Sequence, residues 1–407
     1  MSAAAGADSR RVIAFVNIAH SIDHMFVLIF PAAVLAMGGS FQRSYGELLA
    51  LSVGSFIAFG AGSVPSGWLG DKWSRRNMMA VFFFGIGAAT ILVGLSTSVV
   101  MLAVSLTLIG LFASIYHPVG GALLASHTTR LGRDLGLNGV WGNLGIAFSA
   151  LITAGVAQYL GWRFAFFIPG GLSILIGIAF VSLVPDERNA AKRSPVRAQP
   201  AVVRATAIRA FGVMAAITIF GGVVFSAATV SLPKLFNERL LGFVDSPVAV
   251  GALVAAVYVT GAVAQLIIGR LLDRHSLRSI FMPLALLQAP CLFIAASAGD
   301  WALLLAAAGL MFAVFGQVTI NDALVVRFTT DEWRARAYSL RYLLSFGVSA
   351  ATVPMVAFLH DHGGGFPVLF QVLAGCGLCV FLSTLFLPYS RSEPAPARPV
   401  PLADAAD

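Results

Sequence analysis

The stretch Gly67-Trp-Leu-Gly-Asp-Lys-Trp-Ser-Arg-Arg76 recurs half a chain later as Gly269-Arg-Leu-Leu-Asp-Arg-His-Ser-Leu-Arg278, with Asp71 aligned on Asp273 in a chain of 407 residues. Each copy follows one long apolar segment and precedes another. A charged loop at the same place in two halves marks an internal duplication. Duplicated apolar halves pack as pseudo-symmetric helical bundles.

Composition narrows the class further. Hydrophobic residues make up 58% of the chain and charged residues 11%, against roughly 25% charged in soluble domains. Apolar runs long enough to span a bilayer recur along the whole length. Twelve are predicted: 12–37, 46–69, 77–97, 99–126, 136–158, 163–184, 207–236, 247–270, 279–298, 300–326, 335–359 and 366–387. Polar residues interrupt the fifth and tenth. The first is too long for a signal peptide and lacks a small-residue cleavage site, so it reads as helix 1. The expected fold is therefore an all-α membrane protein of two six-helix bundles.

Orientation follows from the cations. With a cytoplasmic N-terminus and alternating helices, all the Lys and Arg residues except Arg43, Arg163, Lys234, Arg239 and Arg341 fall in cytoplasmic loops and tails. This is the positive-inside pattern, and it predicts that both termini face the cytoplasm. The net charge of +8 is then a topology signal. No basic stripe is interleaved with aromatics, so nucleic acid is not an expected partner. The arginine bias and alanine richness fit a high-GC bacterium, hence an inner (plasma) membrane.

The halves are predicted to be 10–184 and 207–389, joined by a basic, Ala/Pro-rich linker at 185–206 that should lie along the membrane surface or be poorly ordered. Tails 1–9 and 390–407 read as disordered.

Two six-helix halves, a long central loop and Gly-x-x-x-Asp-Lys-x-x-Arg-Arg between helices 2 and 3 resemble the major facilitator superfamily, as does Gly161-Trp162-Arg163 entering helix 6. The resemblance covers residues 10–390. More narrowly, His20-Ser-Ile-Asp23-His24, Tyr116-His117-Pro118 and Gly142-Asn143-Leu144-Gly145 resemble the fosmidomycin-resistance type of efflux carrier. That resemblance implies a monomeric secondary carrier working by alternating access, and it favours efflux. Antiporters of this kind usually show Gly-Pro late in helix 5, where this chain has Ser149-Ala150, so symport stays open.

The loop motif reads physically as a latch. Gly67 and Gly70 allow helices to approach closely. Asp71 can accept hydrogen bonds from a neighbouring helix N-terminus or an arginine, with Lys72, Arg75 and Arg76 at headgroup level. Topology alone requires no carboxylate there. The second copy has Leu277 in place of an arginine, so Asp273, Arg274 and Arg278 form a degraded counterpart.

Titratable residues within spans are costly unless paired or hydrated, and they point to a transport pathway. His20, Asp23 and His24 lie close together in helix 1 and are expected to share a face and bind the coupling proton. His117 precedes Pro118, which removes a backbone donor and should kink helix 4. His117 is assigned to the substrate site, with Tyr116, Asn138, Trp141 and Asn143 as lining residues. The repeat register places Gln317, Asn321 and Asp322 opposite His117, and Arg341 opposite Trp141, so these four complete the substrate set. The bland reading of each is a satisfied polar group that holds helices together.

No cofactor is expected: nucleotide-binding loops and catalytic constellations are absent, so the chain does not read as an enzyme and its energy must come from a gradient. Cys376 and Cys379 lie in an apolar helix with no second pair and read as packing. Ser44-x-x-Glu47 reads as a capping box. The central expectation is a proton-coupled carrier of a small molecule, an efflux antiporter. Its alternatives are a proton symporter for a polar or anionic solute, or a carrier of a divalent transition metal liganded by His20, Asp23, His24 and His117. A non-transporting receptor or scaffold on the same fold is the remaining class.

Overall fold

In a computed structural model, residues 3–128, 131–185, 204–240, 244, 246–272, 275–328 and 331–387 are described. Among them there is no strand, and the chain forms twelve long helices. In the first half these are α1 (Ala3–Phe41), α2 (Tyr45–Lys72), α3 (Arg75–Leu95), α4 (Val99–His127), α5 (Leu131–Leu160) and α6 (Phe164–Leu183). The second half contributes α7 (Arg204–Arg239), α8 (Pro247–Leu272), α9 (Leu277–Ser297), α10 (Asp300–Phe328), α11 (Asp331–Asp361) and α12 (Gly365–Thr384). All twelve contain windows long and apolar enough to cross a membrane.

Local chemistry sets the ends. Ser74, Ser98 and Ser276 each accept a hydrogen bond from the backbone N–H three residues on, capping α3, α4 and α9. Ser44 caps α2 in a full capping box with Glu47, as its sequence predicts. Helix 4 is irregular where Pro118 is expected to disturb it. Pro118 lies in a π-helical turn, Tyr116–Gly120, a widened turn that accommodates the missing N–H. The start of α1 at Ala3 also falls inside the stretch predicted to be a tail, in keeping with the helix preference of Ala3, Ala4, Ala5 and Ala7. Similarly, α7 begins at Arg204. Residues 186–203 and 388–407 lie outside the described residues.

The two halves meet unevenly. One apolar cluster joins Ala32, Leu49, Phe56 and Ala150 of the first half to Leu235, Val254, Val353 and Phe366 of the second. All of these lie toward the end of the bundle away from the termini. At the opposite end the cores are separate, one around Val12, Val16, Met79 and Leu123 and another around Ile217, Ile268, Leu277 and Leu324. Apolar burial is the main driving force for close packing. Among the described residues a shared apolar core thus seals the halves at the far end, and toward the end that carries Asp71 each half keeps a core of its own.

Candidate functional site

Helices α1, α4 and α5 bring a buried polar network together at mid-bundle. Asn138 on α5 is its hub. Its backbone carbonyl accepts from Nδ1 of His20 at 2.7 Å, its Oδ1 accepts from the Tyr116 hydroxyl at 3.0 Å, and its Nδ2 donates to Oδ1 of Asn17 at 2.9 Å. A carbonyl can only accept, so His20 carries a hydrogen on Nδ1. In neutral His20 the lone pair on Nε2 then accepts from Nε2–H of His24, 3.1 Å away. The His20 ring stacks on Tyr116 at 4.7 Å between centroids.

Asp23 lies apart from this chain of bonds. Its side chain is fully buried, and neither oxygen has a hydrogen-bond partner. Nε2 of the His117 imidazole on α4 lies 3.5 Å from its Oδ2. All three helix 1 residues approach His117, whose ring centre lies 5.5 Å from those of His20 and His24. Asp23 is one residue, about 100° of helix rotation, from His24; it meets His117 alone, while the two histidines also meet each other and His20 bonds to Asn138.

The second half closes over this site. Tyr342 on α11 stacks on His117 at 5.5 Å, and Phe346 stacks on Phe59 at 4.2 Å. Arg341 lies beside Tyr342, its guanidinium carbon 6.0 Å from that ring centre. Asn143 is buried but stands outside the histidine network; its amide donates across the halves to Oε1 of Gln265 on α8. Trp141 is partly exposed, and its carbonyl accepts from the Ser21 hydroxyl. On α10, Gln317 is buried with Nε2 lacking a partner, and Asn321 has the same lack at Oδ1. The Asp322 side chain lies outside the described residues. Asn17, Gln265, Tyr342, Phe346 and Phe59 were not singled out by sequence, because an asparagine or an aromatic in an apolar helix carries no signal until its neighbours are known.

The donor nitrogens of His20, His24 and His117 lie within 4.8 Å of one another, a spacing compatible with one shared proton network or with one metal ion.

At the end that carries Asp71, Gly67 lies against Pro118 and Gly70 against Val119, where a Cβ would approach within 3.2 and 2.9 Å. Asp71 is 67% exposed and pairs at 2.7 Å with Arg75, the first residue of α3. Arg76 instead reaches α6, donating from Nε to the carbonyl of Val184 at 3.0 Å and from a terminal nitrogen to that of Val181. Lys72 closes α2 as the basic residue of its last turn. Arg278 donates to the Met282 sulfur, while Asp273 and Arg274 lie outside the described residues.

Comparison with known proteins agrees with this architecture. The sequence profile of the Major Facilitator Superfamily matches residues 13–251 and 242–406. Among curated proteins, the chain is 30% identical over 166 residues to the membrane sensor protein UhpC of Salmonella typhimurium, spanning 40% of this chain and 37% of that one. It is 28% identical over 187 residues to the tetracenomycin C resistance and export protein of Streptomyces glaucescens, 44% of this chain and 34% of that one. The matched region thus spans well under half the length of these relatives. A solved bacterial homolog of the human lysosomal transporter Spinster, inward-facing and unoccupied, superposes with a TM-score of 0.71 at 14% identity, covering 93% of this chain and 95% of that one.

Proposed function

Since the chain belongs to the Major Facilitator Superfamily, whose members are membrane-embedded carriers of small molecules, we propose that it is a proton-coupled secondary carrier in which Asp23 binds the coupling proton. One observation carries the reading: a fully buried carboxylate with no hydrogen bond, held 3.5 Å from an imidazole on another helix. An isolated ionised carboxylate is too costly in an apolar interior. Asp23 must therefore be neutral or share a proton with His117, and its charge state must change when the pathway hydrates it. His20 and His24 pass protons toward this pair through their shared Nε2 contact.

Alternating access supplies the hydration change. Opening one end while the other closes exposes the site to one side at a time, and the side that holds the termini is cytoplasmic by the positive-inside pattern. Rocking the halves the other way breaks the Tyr342 and Gln265 contacts and wets the site from outside. Asn143, Trp141, Gln317, Asn321, Asp322 and Arg341 then face the cargo, and Asp71 engages as the inner latch.

The direction favoured is efflux by antiport, supported by the resemblance of helices 1, 4 and 5 to fosmidomycin-resistance carriers and by a drug-exporting relative. Uptake by symport is the second reading. Ser149-Ala150 late in α5 supports it, as does 27% identity over 144 residues to a probable hexose phosphate transport protein of Chlamydia pneumoniae. The test is purified protein in liposomes loaded with a pH-sensitive dye and offered metabolites, antibiotics and divalent metals. Cargo-driven proton movement supports the reading, and its sign separates antiport from symport. Cargo flux without proton movement refutes it, and flux of a metal alone moves the cargo to the three histidines.

A further inference from the structure

The sealed end carries a second charged cluster, formed by three helices from the two halves. Asp361, at the end of α11, accepts from the Ser44 hydroxyl and from the backbone N–H of Gly46 at 3.1 Å. It thereby caps the N-terminus of α2 from the opposite half. Behind it, His360 bridges two acids, with Nδ1 2.7 Å from Asp361 and Nε2 3.0 Å from Glu238 on α7. Lys234 pairs with Glu238 at 3.1 Å and lies 5.5 Å from the Tyr45 ring centre, and the His360 ring meets Tyr45 edge-on at 4.8 Å. These contacts leave Asp361 13% and His360 15% exposed.

We propose that this cluster is the outer gate latch, holding the far end shut through the Asp361 cap on α2, and that the charge of His360 sets its strength. The inference rests on alternating access but not on the assignment of Asp23. A carboxylate at a helix N-terminus gains from both the free N–H groups and the helix dipole. Gly46 is required, since a Cβ there would fall 2.7 Å from the Ala357 carbonyl and onto the Asp361 carboxylate. Neutral His360 can donate from one nitrogen only, whereas the imidazolium donates to both acids and balances their charge.

The other charges facing the cluster are accounted for. Lys234 from α7 offsets Glu238. From the α2 side, Arg43 pairs with Glu47, whose second oxygen accepts from the Ser44 N–H. Arg239 is taken up by carbonyls of α9 at Ala295, Ala296 and Ala298. His360 is thus the group in the cluster whose ordinary titration, near about 6.5, falls in the neutral range. The latch is tightest while His360 is protonated and both acids are ionised, and it loosens as pH rises through the imidazole titration.

The test measures distances between spin labels in the full chain, in nanodiscs, with the native cysteines replaced. One pair reports the outer end (Thr97→Cys with Ala302→Cys), and a second reports the inner end (Ser182→Cys with Arg270→Cys). The background is Asp23→Asn, so that protonation of the Asp23 carboxylate does not contribute. The expected result is a short outer distance at pH 6 and a growing long-distance population at pH 8.5. His360→Gln should abolish this shift, and His362→Gln, on the exposed neighbouring imidazole, should keep it. Asp361→Asn should raise the outer-open population on the order of tenfold at pH 6. A shift that survives His360→Gln, or an outer distance indifferent to Asp361→Asn, overturns the proposal. If the inner pair moves while the outer pair ignores pH, the latch alone fails. If neither pair ever moves, alternating access fails with it.

Discussion

Asp23 on α1 and His117 on α4 stand 3.5 Å apart, and among the described residues neither oxygen of this enclosed carboxylate has a hydrogen-bond partner. The two residues lie on different helices of one half, while Tyr342 from the other half covers the imidazole at 5.5 Å. The pair therefore sits where a movement between halves changes its solvation.

Replacing His117 by Phe keeps a ring against Phe59 and Tyr342 but removes the partner of Asp23. Proton-driven transport should fall on the order of tenfold or more, since an adjacent charge shifts carboxylate protonation by that factor. The melting midpoint in detergent should move far less than transport does. A variant with intact coupling would free His117 from the mechanism.

Tyr116→Phe deletes one hydroxyl, the donor to Oδ1 of Asn138. The buried amide oxygen loses its partner at a cost of about 1–3 kcal/mol. Thermal unfolding should register this, and transport should drop because Asn138 also orients His20 through its carbonyl.

The α1–α5 contact depends on Gly145, where a Cβ would approach Ser21 Cα to 2.8 Å. Gly145→Ala should destabilise by about 1–3 kcal/mol through overpacking. Gly121→Ala, which meets nothing within 4 Å, should leave the midpoint unchanged or raise it.

Two neighbouring arginines should respond differently. Arg76→Ala removes donors to the last carbonyls of α6 and should lower the melting midpoint, by an amount equivalent to about 1 kcal/mol. Arg75 pairs with an exposed Asp71, an interaction worth little for stability. Arg75→Ala should instead appear in transport rate.

The fold was legible because membrane spans are written in composition and length. The predicted run at 77–97 meets a helix at Arg75–Leu95, and that at 279–298 meets Leu277–Ser297. The fifth and tenth spans are continuous despite their polar residues, because Asn138, Asn143 and Gln317 face inward and are buried. The site was legible only in part. His20, His24 and His117 stand out as titratable groups in apolar helices and Asn138 as a polar lining residue, but the place of Asn138 as their hub and of Tyr342 as their cover is set by packing between distant segments. The outer cluster was missed for the same reason. Ser44, Glu238 and Asp361 each end a helix and read singly as caps or loop charges, and nothing in their order along the chain brings them together.

The most direct test of the central claim compares two modes of transport in Asp23→Asn, reconstituted beside the unaltered protein, once a cargo is identified. Exchange of labelled for unlabelled cargo needs the site and its movement, whereas accumulation driven by a pH gradient also needs the coupling proton. The account predicts that Asp23→Asn keeps exchange and loses gradient-driven accumulation. Accumulation at the unaltered level would contradict it.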